Sequence, residues 1–202
     1  MKIYEMKVAP NPRRVRMFLA EKGIAMEYVQ LDLGKGENLS PEFREKNPMA
    51  KVPVLELDDG TCISESMAIC RYFEELQPEP ALMGRTPLEK AQIEMWQRWI
   101  EFYFLMPTGM CFQHSSGYFK DRMTPVPEWG AVCRDNVVKF FERLNRHLEH
   151  HRYLVGDQFS IADITALCTV DFNKVNQLGI LPEQTHLQRW YKEVSSRPSA
   201  KA

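Results

Sequence analysis

The chain has 202 residues, with 26 Lys plus Arg against 27 Asp plus Glu and a formal net charge of −1. That balance argues against a dedicated nucleic-acid binder, which needs surplus cations to displace phosphate counterions. The hydrophobic fraction of 44% is too high for a disordered chain and enough for one large core or two small ones. No apolar run approaches the ~20 residues of a membrane span, and MKIYEMKVAP lacks the apolar stretch of a signal peptide. Cys62, Cys70, Cys111, Cys133 and Cys168 are odd in number and contain no CxxC. This argues against a disulfide framework and a four-cysteine zinc site; no metal is expected, and free thiols suit the cytoplasm.

Lys2 to Met6 alternates with period two and reads as a strand. Ala9-Pro10-Asn11-Pro12 follows, and then a helix in which Val15, Phe18 and Leu19 recur at helical spacing. Pro12 suits its first turn, Gly23 its end, and Asn11 its cap. Glu27 to Leu31 is a second strand, and Ser40 caps a short helix over 41–46. Val54–Leu57, Asp58-Asp59-Gly60 and Thr61–Ile63 form a hairpin signal, and Ser64 to Leu76 a third helix. Gln77-Pro78-Glu79-Pro80 reads as a linker. Beyond it the period is helical: Pro87 to about Met106, bent or broken at Pro107-Thr108-Gly109, then Val132–His151, Ser160 to about Asn176 and Leu187–Ser196. The expected architecture is an α+β two-domain chain, with an α/β unit over 1–80 and an all-α unit over 86–202.

Four stretches carry chemical content. In Asn47-Pro48-Met49-Ala50-Lys51-Val52-Pro53-Val54, Pro53 cannot donate to a ladder. A trans proline opening a strand is the commoner arrangement. A cis one, about 5–6% of X–Pro bonds, turns the Val52 N–H and C=O outward to pair with an extended peptide. In Ser64-Glu65-Ser66, either Ser64 caps a helix, or Ser66 receives a carboxylate at the positive helix end while Glu65 accepts from an ammonium. At Asn11 the alternatives are a cap and a side-chain donor that stabilises a thiolate at a helix N-terminus. Phe159-Ser160-Ile161-Ala162-Asp163-Ile164 is a capping box with a hydrophobic staple, a folding device.

Taken in order and at these spacings, PNPRRVRMFLAEKGI, SPEFREKNPMAKVPVLELDDG, ISESMAICRYFEE and YLVGDQFSIADITA make the chain resemble the soluble glutathione transferases along nearly its full length. It is most similar to the bacterial and fungal group whose atypical members lack the usual catalytic Tyr or Ser. The resemblance implies a thioredoxin-like N-terminal domain, an all-α C-terminal domain, a homodimer, and glutathione as co-substrate. It makes Pro53 the cis proline, Val52 the backbone partner of the cysteinyl unit, Glu65 and Ser66 the γ-glutamyl site, and Lys35 and Lys51 contacts of the glycyl carboxylate.

The chain departs from the family where a catalytic Ser, Thr or Cys stands six residues before the helix-one valine. Counting back from Val15 reaches Ala9, and Tyr4 lies early in its strand. Asn11, matched by an Asn in some disulfide-reducing bacterial relatives, is the first substitute. The second is His114 with Ser115 or Ser116, since atypical fungal members use a His and a Ser here with a bound water. Tyr103, Pro107, Met110, Cys111 and His114 recur at near-helical spacing, so Tyr103, Met110, Cys111 and His114 are the expected electrophile pocket; a core stripe is the plainer reading. The resemblance thus implies a glutathione S-transferase acting on a small-molecule electrophile, as in detoxification. The alternatives are a glutathione-dependent disulfide or peroxide reductase and a non-catalytic binding protein.

Overall fold

In the computed structural model, which describes residues 1–202, the order is β1 (Lys2–Glu5), α1 (Pro10–Glu21), β2 (Glu27–Gln30), α2 (Pro41–Lys46), β3 (Val54–Glu56), β4 (Cys62–Ser64) and α3 (Ser66–Leu76). The sheet order is β2-β1-β3-β4. β1 and β2 run parallel through the α1 crossover, while β3 is antiparallel to both β1 and β4. Alternation along β1 sorts its residues onto two faces. Ile3 and Glu5 are buried, and Glu5 pairs with Arg16 of α1. Tyr4 lies on the opposite face, edge-on to Phe43 of α2. Val15, Phe18 and Leu19 are fully buried as their spacing requires, and α1 ends before Gly23, whose φ of 67° is the left-handed value glycine takes readily. Ser40 caps α2 by accepting from the Phe43 N–H at 3.2 Å.

The remaining helices are α4 (Pro87–Ile100), α5 (Met106–Ser116), α6 (Pro127–Leu148), α7 (Ile161–Phe172) and α8 (Thr185–Ser195). Contacts divide the chain into two compact units, Met1–Leu82 with Pro198–Ala202, and Met83–Arg197. The last five residues, grouped from the sequence with the helical part, belong with the first unit, where Arg13 donates to the Ala200 carbonyl at 3.1 Å.

Pro107 neither breaks nor ends its helix. The helical path continues from Pro87 to Ser116 through a π-helical turn at Glu101–Leu105. A proline in an α-helix collides with the carbonyl four residues back, here Tyr103, and a widened turn accommodates it. Phe104 in that turn stacks on Phe140 (5.0 Å) and meets Phe141 edge-on (5.1 Å). Asp163 is fully buried, closes the capping box with Ser160 and accepts from Trp190 Nε1 at 2.8 Å.

Candidate active site

Register brings the chemically interesting loops to one end of the sheet. Tyr4 pairs with Val54, and Val54 with Ser64. The β1–α1 connection, the Val52-Pro53 entry to β3 and the Glu65-Ser66 start of α3 therefore share that end. β2 is parallel to β1, so the segment with Lys35 leaves the sheet there too.

The Val52-Pro53 bond is cis. Two buried asparagines fix the chain leading to it. Asn38 Nδ2 donates to the Ala50 carbonyl at 2.7 Å, and Asn47 Nδ2 to the Lys51 carbonyl at 2.9 Å. Ala50 has a φ of 52°, a conformation that costs a non-glycine residue about 1–3 kcal/mol and persists only where its surroundings impose it. With these two carbonyls taken, the next one is Val52's. Neither main-chain group of Val52 has a partner within the protein. The pair is an open edge for an extended ligand.

The start of α3 differs from the capped form the sequence allowed. Ser64 is the last residue of β4, Glu65 occupies the N-cap position with φ 68°, and no side chain caps the helix. The leading N–H groups are left for other acceptors, at the positive end of the helix dipole. Ser66 is 6% exposed, and its hydroxyl makes no hydrogen bond within the protein. Glu65 is exposed beside it.

At the third loop, Ala9 is the N-cap and Asn11 lies inside the first turn, so Asn11 is not a cap. Its Oδ1 accepts from Arg14 Nη2 at 2.9 Å, which leaves the side-chain NH₂ as donor. The approach to this turn is held below. Arg16 ion-pairs with buried Glu5 and donates to the Lys7 carbonyl at 2.8 Å, while Gln30 joins Glu5 (2.7 Å) to the Lys7 N–H (3.0 Å). A groove of about 410 Å³ lined by Met6, Lys7, Val8, Gln30, Leu31, Asp32 and Glu37 adjoins this loop.

Tyr4 is spent elsewhere. Its hydroxyl donates to Glu56 at 2.9 Å, on the α2 face. Lys46 and Tyr4 together hold the Glu56 carboxyl down at about 2, the Lys46 contact contributing most. Lys35 is exposed and 3.5 Å from Asp32, and Lys51 is exposed in the loop before Val52.

In the helical unit, the expected stripe does not share one environment. Tyr103 is 57% exposed, Cys111 only 2%, and Met110 and His114 are half-buried. The π turn adds a residue between Tyr103 and the rest, which shifts the helical phase. His114 Nδ1 accepts from the Val126 N–H at 2.9 Å, so in the neutral ring the proton is on Nε2, which is a donor and not a base. Ser115 and Ser116 are exposed. α6 passes close to this turn at Gly130, where a Cβ would come within 2.5 Å of Ser115 Oγ. A concavity of about 600 Å³ between α7 and α8 contains none of these residues.

The fold is a thioredoxin-like α/β unit followed by an all-α unit, and its exposed backbone edge beside an uncapped helix belongs to that class of architecture. Residues 3–81 match the family model for the glutathione S-transferase N-terminal domain, and 130–198 that for the C-terminal domain. Glutathione S-transferase 2 of Saccharomyces cerevisiae is 38% identical over all of this chain and 88% of its own length. The crystal structure of Gtt2 from Saccharomyces cerevisiae superposes with a TM-score of 0.95 at 38% identity, covering 100% of this chain and 99% of that one. A class Gtt2 glutathione S-transferase of Vibrio parahaemolyticus gives 0.87 at 36%, covering 100% and 96%. The chain belongs to the glutathione S-transferase family, and within it to the fungal and bacterial Gtt2 type.

Sequence reasoning missed Arg14, Asn38 and Asn47. Neither Arg14 nor Asn38 belongs to a motif that marks it as buried. Asn47 had a local signal in its Asn-Pro pair but no visible partner.

Proposed function

We propose that the chain binds glutathione at this end of the sheet, holds its sulfur as thiolate and transfers it to an electrophile. The cysteinyl backbone pairs with Val52, following Pro53. The γ-glutamyl carboxylate meets the Ser66 hydroxyl and N–H, with Glu65 accepting from the ammonium. The glycyl carboxylate lies toward Lys35 and Lys51. The observation that carries this reading is the open Val52 edge next to the uncapped α3 N-terminus. The two accept an extended peptide and its terminal carboxylate together.

The thiol then has to lose its proton to solvent. A free thiol near 8.5 is a few per cent ionised at pH 7, and lowering it two units takes about 2.7 kcal/mol of preference for the thiolate. A charge-assisted hydrogen bond from Asn11 at ~1.5–3 kcal/mol and the α1 dipole at ~0.3–1 supply that. Ala9 needs no hydroxyl for the sum to close. The thiolate attacks the electrophile, a carbon–sulfur bond forms and the leaving group departs with its electron pair. His114, through Nε2–H, is a donor available to substrate or water, and Tyr103 and Met110 remain the accessible members of the electrophile pocket.

The five free cysteines suit a reducing cytoplasm. No helix is long and apolar enough to cross a membrane. Met95, Trp99, Phe102 and Met106 form an exposed stripe along α4, the π turn and the start of α5, and a second copy of the chain is its natural cover. Calorimetric titration with reduced glutathione, followed by assays with a chloronitroarene and with a glutathionylated disulfide, tests the function. Absence of binding refutes it. Turnover of the disulfide alone makes the protein a reductase. Ala9 is the feature that favours a binding protein, and tight binding with an unshifted thiol and no turnover would establish that instead.

A further inference from the structure

The first turn of α1 is unusually poor in donors. Pro10 and Pro12 have no N–H, and the Arg13 N–H is bonded to the Ala9 carbonyl at 3.2 Å. What remains is the Asn11 main-chain N–H and its side-chain NH₂. The direction of that NH₂ follows from its neighbour. Arg14 Nη2 donates to Asn11 Oδ1 at 2.9 Å, and a guanidinium donates but never accepts. The amide oxygen must face Arg14, so the NH₂ faces away. Arg14 is 1% exposed, so its charge acts in a medium that screens it weakly. Of its neighbours, Arg13 donates to the Ala200 carbonyl, and Arg16 is paired with Glu5.

We propose that Arg14 is the positioning residue of thiol activation, locking Asn11 with its NH₂ toward the bound sulfur and polarising the amide as a buried cation behind it. The proposal deepens the functional reading above and rests on it. In the step concerned, the S–H bond breaks, the proton goes to solvent, and an N–H···S⁻ hydrogen bond takes its place. Arg14 itself touches no substrate. It withdraws electron density through the carbonyl oxygen, and the N–H opposite becomes a stronger donor.

The test is a pH titration of thiolate ultraviolet absorbance with reduced glutathione bound to the full chain. S-methylglutathione, which has no titrating thiol, serves as the binding control. In wild type the bound thiol titrates below the free value of ~8.5. Asn11→Ala raises it, and Arg14→Met raises it by about one unit. The double substitution raises it no further than Asn11→Ala alone, because Arg14 acts through Asn11. Arg14→Lys recovers part of the shift, as a point charge without the planar fork. S-methylglutathione binds all variants within about threefold. Arg14→Met titrating like wild type, or adding in full to Asn11→Ala, overturns the proposal. Should Arg14→Met fail to fold, Arg14→Gln decides. It keeps an amide donor for Asn11 Oδ1 but loses the charge, so the bound thiol must rise part of the way, and a wild-type titration overturns the proposal. A wild-type thiol that titrates as free refutes the functional reading as well. A lowered wild-type value that Asn11→Ala abolishes and Arg14→Met leaves alone refutes only this inference.

Discussion

Replacing Ser66 with Ala separates binding from folding more cleanly than any other change in the site. The hydroxyl sits on a residue 6% exposed at the first position of α3 and bonds to nothing in the protein. A hydroxyl that donates to a carboxylate contributes ~1.5–3 kcal/mol. At 1.4 kcal/mol per decade, its loss weakens glutathione binding about 10- to 150-fold. Folding should respond the other way. No intramolecular hydrogen bond is lost, a desolvated hydroxyl disappears, and alanine exceeds serine in helix propensity by up to ~0.7 kcal/mol. The apo protein should be as stable as wild type, or more stable by a few tenths of a kcal/mol. Calorimetry gives the first number and urea unfolding of the apo protein the second. A dissociation constant within about threefold of wild type removes Ser66 from the ligand site. A stability loss above about 1 kcal/mol means the hydroxyl has a structural partner, and the reasoning fails.

Asp163→Ala should unfold the helical unit far more readily, by about 3–5 kcal/mol. It orphans the Leu154 N–H (3.1 Å), the Ser160 N–H (3.1 Å) and hydroxyl (3.2 Å), and Trp190 Nε1 (2.8 Å); a loss under about 1.5 kcal/mol by urea unfolding contradicts this. Burial also pushes the Asp163 carboxyl from 3.8 up to about 6, so the folded state holds more protons between those values. Its contribution is therefore full below about pH 4 and lost as pH rises through 6, a slope that Asp163→Asn should flatten. Glu56 has the opposite sign. Lys46 and then Tyr4 lower it from 4.5 to about 2, so its contribution is present above pH 4.5 and lost as pH falls toward 2, and Glu56→Gln should flatten that acid limb of the unfolding curve.

The succession of elements was legible because each boundary carries a local signal. Gly23 stops α1, Ser40 caps α2, and Asp58-Asp59-Gly60 turns the hairpin, with Gly60 at φ 87°. The cis Val52-Pro53 bond followed from resemblance, since nothing in the stretch itself excluded trans. Positions within a turn were harder. Asn11 and Ser64 both looked like caps because cap propensity is read one residue at a time, while Pro10 and the left-handed Glu65 decide where each helix begins. The π turn was invisible because hydrophobic periodicity assumes 3.6 residues per turn throughout. Arg14 and Arg16 were invisible for a different reason. A charged residue in an amphipathic pattern reads as solvent-facing, and only the folded structure, with Glu5 against Arg16 and Arg14 1% exposed, shows that these two point inward.

Ala9 changes how activation can be distributed. A single hydroxyl at the helix start concentrates thiolate stabilisation in one bond, and its removal takes most of the effect. Here Pro10 and Pro12 delete two of the donors the helix end would otherwise offer, and Ala9 contributes none from its side chain. The stabilisation is then shared by the Asn11 N–H, the dipole and the Asn11 side-chain amide, through which the buried Arg14 charge acts. Each is worth on the order of 0.3–3 kcal/mol against the ~2.7 kcal/mol of a two-unit shift. At mid-range values none of them supplies the whole, so substitutions in this turn should grade the thiol pKa in steps. Rates at high pH, where glutathione is ionised without help, should converge on wild type.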